Sequence, residues 1–261
     1  MPPQDDRAVS RISRAYPDRV DVRGRDLTVE LMGRVTFTEY FHLLLTGRDA
    51  TEDERFFLDL LLVSIAEHGL MPSNVAARMT LAADPDALQG AVAAGILGAG
   101  SVVLGTSGEC ARLLEDAQRR VAAGDEPAAV AREIARSIRD AGGKVPGFGH
   151  PMHRPTDPRA ERILELADER GVSGPHVELA RRLGAAVAEV WGKELPLNVA
   201  MPIAAVLLDL GYPSSSVKAV PILARTAGLL APLVEEQESP LGFLLAREAE
   251  EAVEYEPPSG E

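Results

Sequence analysis

The chain has 261 residues, 46% of them apolar, which is enough to bury one sizeable core or a core with a smaller lobe. With 27 basic and 40 acidic residues its formal charge is −13, which argues against general affinity for nucleic acid or an anionic membrane surface. Any anion it binds has to meet a local basic pocket. The lone Cys110 rules out an internal disulfide framework and agrees with a reducing cytoplasmic setting, and the polar, charged opening MPPQDDRAVSRISRAYPDR does not read as a secretory signal.

In chain order, DVRGRDLTVELMGRV offers at most a short strand or turn. Thr36-x-x-Glu39 and Thr51-x-x-Glu54 are capping-box patterns ahead of the apolar runs FHLLL and FFLDLLLVSIA, and Gly47 and Gly69 stop those two helices. Phe57, Leu60, Leu61 and Ile65 form a stripe at helical spacing, with His68 beside it at the C-terminal end. A histidine there is favoured by the helix dipole or contacts a ligand. Further helices are predicted at about 73–83, 86–103, 107–123, 126–140, 158–170, 175–191, 199–210 and 215–236, most ending in Gly or entered through Pro, Ser or Asp. Period-2 alternation is nearly absent, so the expected fold class is all-α.

Residues 90–108 carry no charge, yet their glycines and alanines make them only weakly hydrophobic. Ala91/Gly95 and Ala94/Gly98 set small residues one turn apart, as in a helix buried by close packing or lying at a subunit interface, rather than in a membrane span. Boundary signals fall at 104–108, 144–159 and 211–216. They suggest a lobe built from the middle of the chain, with hinges that let a cleft close over a ligand.

The stretch KVPGFGHPMHRPTDPR, 144–159, carries two histidines, two arginines and four prolines. Pro146, Pro151, Pro155 and Pro158 each fix a φ angle, while Gly147 and Gly149 permit backbone conformations and close approaches that a side chain forbids. His150 and Arg159 are then presented on a rigid platform. Asp157-Pro158 reads as an N-cap followed by a first-position proline, which places Arg159 in the positive opening turn of a helix, where a carboxylate is the natural guest. His153 makes an H-x-x-H pair with His150, but no second carboxylate or thiolate stands at ligand spacing, so no metal is expected.

VPGFGHPMHRPTDPRAERILELA resembles the G-x-G-H, Arg, D-P-R segment of the citrate synthase family. DVRGRDL, HGLMPSNVAARMTLAA, LNVAMPIAAVLLDLGYP and ILARTAGLLAPLVEEQ are similar to further segments of that family, in order along the chain. The small size and the run GAVAAGILGAGSVVLGTSGECARLL make the chain look most like the short citryl-CoA lyase-like branch. The resemblance implies an all-α homodimer with a large domain (1–105 and 217–261) and a small domain (106–216) closing on a di- or tricarboxylate and a CoA thioester. By position, His150 would bind the keto or hydroxyl oxygen and act on it as an acid, Arg159 and Arg225 would clamp carboxylates, His68 would be a further substrate contact, and Arg154 would face the CoA phosphates.

Two positions depart from the family pattern. Ala200 stands where the family uses an Asp to take the thioester α-proton, and Leu104 where it uses a His to hydrogen-bond the enolate. Neither side chain exchanges a proton or donates to an oxyanion. Glu109, just after the glycine turn, is the candidate to substitute, although a first-turn carboxylate also has a dipole role. Cys110 beside it reads as a small apolar filler. Three readings follow: a citryl-CoA-type lyase or synthase with an altered acid/base set, a family member that binds the acid or CoA without turnover as a sensor or partner subunit, and an enzyme for a different CoA ester.

Overall fold

The computed structural model describes residues 8–149 and 155–257. Among them are twelve α-helices and one small antiparallel sheet, so the all-α expectation holds. They divide into two compact units at Asp59/Leu60.

In the first unit, β1 (Ser13–Ala15), β2 (Val20–Val22) and β3 (Arg25–Asp26) form a meander with Ser13 opposite Val22 and Asp21 opposite Asp26. Asp26 caps a wide, π-type turn over Leu27–Leu31. Helix α1 (Phe37–Thr46) starts at the expected capping box: Thr36 Oγ1 accepts from the Glu39 amide at 3.2 Å, and Glu39 accepts from the Thr36 amide at 2.7 Å. Gly47 ends it in the left-handed conformation. Helix α2 (Glu52–Ala66) opens with the same exchange between Thr51 and Glu54, at 3.2 and 2.8 Å.

Glu54 is buried beside His42 and is paired with Arg48. Burial on its own raises the Glu54 carboxyl, but the hydrogen bonds from Arg48 and the Thr51 amide, with the charges of His42 and Arg48, bring it down to about 2. A depressed carboxyl contributes stability that is whole above its unfolded value of 4.5 and is lost as pH falls toward 2. Wild type should therefore out-melt Glu54→Gln at pH 7, by up to about 3 kcal/mol. Melting curves from pH 7 to pH 2 should show that gap closing below pH 4.5. A gap that stays constant over that range would show that the carboxylate's charge is not what stabilises the unit.

The second unit holds the last turns of α2 and then α3 (Pro72–Ala83), α4 (Leu88–Ala99), a π-type turn over Gly100–Gly105, and α5 (Thr106–Ala122). Next come α6 (Pro127–Asp140), α7 (Pro158–Glu169), α8 (Pro175–Trp191), α9 (Ala200–Asp209), α10 (Ser214–Val217), α11 (Ala219–Glu238) and α12 (Gly242–Ala252). Helix α4 stops four residues short of the expected 103, because the glycine-rich end widens into the π-type turn. Helix α12 lies beyond the predicted set. The small-residue reading of α4 holds: a Cβ on Gly95 would stand 3.0 Å from the Ser73 carbonyl of α3, and one on Gly98 would stand 3.1 Å from the Ala76 methyl. Ala77, Leu81, Ala91, Leu229 and Leu233 fill the space shared by α3, α4 and α11.

Helix α9 is the hub of the other half of this unit. It packs against α5, α7, α8 and α10, and every residue from Ala200 to Leu208 is buried, which is why MPIAAVLL carries no polar side chain. At its end Asp209 accepts from the amides of Gly174, His176 and Val177 at 2.9–3.0 Å and so caps α8. Among the described residues one helical stretch, Ser214–Glu238, is long and apolar enough to cross a membrane, with a mean hydropathy of 1.5 and half of that window buried.

Candidate active site

The loop ahead of α7 is strapped to the approach of α9. The Gly149 amide donates to Pro196 O at 2.7 Å, the Asn198 amide donates to Gly147 O at 2.9 Å, and Phe148 faces Leu197 in an antiparallel bridge. The Asn198 side chain spends both ends on the same joint, donating to Gly149 O at 3.0 Å and accepting from the Ala200 amide at 3.1 Å. Gly147 has φ +81°, and a Cβ there would stand 2.7 Å from Met201 Cβ and 2.9 Å from Cys110 Sγ, so conformation and space both demand glycine. Cys110 is fully buried under this loop, and burial first, then Glu109, pushes its thiol up. That matches the filler reading and not a nucleophile.

Asp157 is fully buried and does more than cap α7. Its Oδ1 accepts from the Arg159 amide at 3.1 Å and from Arg159 Nε at 3.0 Å; its Oδ2 accepts from Arg159 Nη2 at 2.8 Å and from the Val199 amide at 3.2 Å. Burial raises this carboxyl, but the hydrogen bond and charge of Arg159 outweigh it and hold the group below the usual carboxylate range.

A pocket of about 580 Å³ opens against this joint. His68 and Met71 reach it from the segment between α2 and α3, Thr106 and Glu109 from the first turn of α5, and Arg225 from α11; Arg159, Lys144–Gly149 and Asn198–Ala200 complete it. Arg225 is only 2% exposed, and among the described residues neither its Nε nor its Nη1 has a hydrogen-bond partner. Burial lowers its pKa most and like-charged Arg159 adds to that, while Glu67 opposes both. A guanidinium keeps its proton at neutral pH regardless, so the pocket contains a buried positive charge that no described residue hydrogen-bonds at those two nitrogens. The Glu67 carboxylate is engaged by the amides of His68 and Gly69 at 2.9 and 2.7 Å.

Four of the residues singled out from the sequence, His68, Glu109, Arg159 and Arg225, thus line one cavity. Ala200 lines it as well, and Leu104 is buried two residues before Thr106. His150, His153 and Arg154 lie outside the described residues. Sequence reasoning missed Lys144, Asn198 and the second role of Asp157. For Asn198 the available signal was its place in LNVA. For Asp157 the D-P-R signal was legible, but only as a cap. Among the described residues no group of three or more His, Cys, Asp or Glu is placed to hold a metal ion.

One helical unit thus sets two guanidiniums and an imidazole around a largely apolar cavity. The match to known families makes this specific: residues 8–245 match the family described as citrate synthase, C-terminal domain, and the chain belongs to the citrate synthase family. Its fold is similar to that of citryl-CoA lyase from Hydrogenobacter thermophilus, with a TM-score of 0.84 and 28% identity over 97% of this chain and 96% of that one. It also shares its fold with ATP citrate lyase from Methanosaeta concilii, with a TM-score of 0.79 and 21% identity over 99% of this chain and 43% of that one. Among curated proteins it is 34% identical over 187 residues to putative citrate synthase 2 of Mycobacterium tuberculosis, covering 69% of this chain and 47% of that protein. It is 26% identical over 200 residues to citrate synthase of Haloferax volcanii, covering 76% and 51%. The chain spans about half the length of the curated relatives it matches.

Proposed function

We propose that this chain binds a di- or tricarboxylate together with a CoA thioester and makes or breaks the carbon–carbon bond of a citryl-CoA-type substrate. The observation that carries the reading is Arg225: a cation buried to 2% exposure, with Nε and Nη1 unpaired among the described residues, on the wall of a cavity large enough for an organic acid. Such a burial is costly unless an anion completes it, and a carboxylate is the natural complement of a guanidinium. The likeness to a citryl-CoA lyase over nearly the whole of both chains supports the choice of thioester.

In the cleavage direction the tertiary hydroxyl loses its proton to His150, the carbon–carbon bond breaks to leave a keto acid, and the thioester enolate takes up a proton. Ala200 and Leu104 bring no group that moves that last proton. Glu109, on the same cavity wall, is the carboxylate nearest to hand for it, and Arg154 meets the CoA phosphates. No metal enters the scheme. The proposed small domain, 106–216, supplies Glu109, Arg159 and Ala200 to the cavity, and the remaining large domain supplies His68 and Arg225, as a cleft closing on its ligand requires. A homodimer belongs to the same proposal, supported by the exposed Ile222, Leu230 and Val234 along α11.

The test is to incubate the pure protein with citryl-CoA, and separately with oxaloacetate plus acetyl-CoA, while following free thiol and oxaloacetate. Turnover of citryl-CoA that is lost in His150→Ala is the expected result. A second reading, a family member that binds without turnover, is favoured by the apolar pair Ala200 and Leu104. It prevails if no substrate turns over while citrate or CoA still raises the melting temperature. Turnover of another CoA ester, with citryl-CoA inert, would establish instead a change of substrate.

A further inference from the structure

We infer that Asp157 is a positioning residue that fixes which edge of Arg159 the cavity sees. The Asp157 carboxylate occupies the Nε/Nη2 edge of the guanidinium at 3.0 and 2.8 Å, so the edge that includes Nη1 is the one left to meet a ligand. Rotation of the guanidinium away from that pose would break both hydrogen bonds and leave a fully buried carboxylate without its cation, held only by the backbone amides of Arg159 and Val199. The same carboxylate accepts from the Val199 amide at 3.2 Å, 42 residues further on, so the pose of Arg159 and the start of α9 at Ala200 are set by one group. Asp157 also neutralises Arg159, whereas Arg225 has no such carboxylate hydrogen-bonded to it among the described residues. The two arginines are therefore unequal: Arg225 supplies a charge that no described carboxylate hydrogen-bonds, and Arg159 supplies direction.

This assignment rests on the acid-binding reading of the cavity, and its test keeps the two apart. Asp157→Asn is the informative change, because asparagine is as good an N-cap and still accepts from a backbone amide, but it loses the paired, charged grip on the guanidinium. With arginine side chains labelled with ¹⁵N, the Arg159 Nε–H resonance, assigned by its loss in Arg159→Lys, should exchange slowly in wild type and rapidly in Asp157→Asn. Citrate affinity, measured by calorimetry, should fall roughly 10- to 100-fold in Asp157→Asn. In an Arg159→Ala background the same change should cost nothing further, since the two residues act as one unit. A merely structural Asp157 would lower the melting temperature of both backgrounds and leave the Nε–H signal as it was. If wild type fails to bind citrate while the Nε–H signal still responds, the acid-binding reading fails and the positioning stands. An Nε–H signal indifferent to Asp157→Asn overturns the positioning whatever binds.

Discussion

Replacing Arg225 with methionine should give a protein that melts higher than wild type without ligand and that no longer takes up a dicarboxylate. The two effects share one cause. A guanidinium at 2% exposure has surrendered most of its hydration, and its Nε and Nη1 have no compensating acceptor among the described residues. Replacing buried ionic groups with well-packed apolar side chains of similar volume is often neutral or stabilising, by about 1–4 kcal/mol, and a cation whose burial is poorly compensated belongs on the stabilising side. For a chain of this size that is a rise of several degrees, at roughly 2–4 °C per kcal/mol. Loss of the cation should weaken citrate binding by roughly 30-fold or more, because truncating one partner of a buried, hydrogen-bonded charge pair costs about 2–5 kcal/mol. Thermal melts with and without saturating citrate read both effects at once: wild type should gain stability from citrate, and Arg225→Met should start higher and gain none. A variant that melts lower than wild type and still responds to citrate would mean that Arg225 is satisfied inside the protein and has no ligand to wait for.

What the sequence discloses about this cavity depends on how local each feature is. The caps at Thr36, Thr51 and Asp157 are legible because donor and acceptor lie within three residues, so spacing alone defines the geometry. The buried run of α9 is legible for the same reason, as an unbroken apolar stretch of helical length. The bond from Asp157 to the Val199 amide is not, since it joins residues 42 apart through a backbone N–H that no side-chain pattern announces. That no described residue hydrogen-bonds Nε or Nη1 of Arg225 was equally hidden: ILARTAGLL shows an arginine in an apolar helix, but whether a carboxylate meets it depends on elements more than a hundred residues earlier. Family resemblance brought His68, Arg159 and Arg225 together on paper. Their shared cavity, with Lys144 and Asn198 on its wall, required the packing of the helices that carry them. The end of α4 fell short of the expected 103 for a related reason, since a glycine-rich run supports a helix and a π-type turn almost equally, and tertiary packing decides between them.

Gly228→Ala should be the most damaging single-methyl change in the second unit. A Cβ at this position would lie 1.8 Å from the carbonyl oxygen of Ala66 and 2.5 Å from its carbon, a backbone contact that no rotamer change relieves. The α11 backbone and the end of α2 would have to part by more than an ångström, and that shift breaks close packing around the fully buried Leu229 and Leu233. Overpacking of this kind typically costs about 1–3 kcal/mol, and a clash against two fixed backbones belongs at or above the top of that range. The consequence reaches the site, because Arg225 lies three residues earlier on the same helix and so on nearly the same face, and Ala66 is two residues before His68. Moving α11 outward therefore separates the buried cation from the imidazole across the cavity, and a displacement of about 1 Å at a binding group can cost 100-fold. Gly228→Ala should accordingly lose several degrees of melting temperature and most of its citrate affinity together, whereas Gly90→Ala, where the added methyl meets only Ala87 at 3.5 Å, should change neither. Equal behaviour of the two alanine variants would mean that α2 and α11 do not approach closely at Gly228, and the placement of Arg225 beside His68 would lose its physical basis.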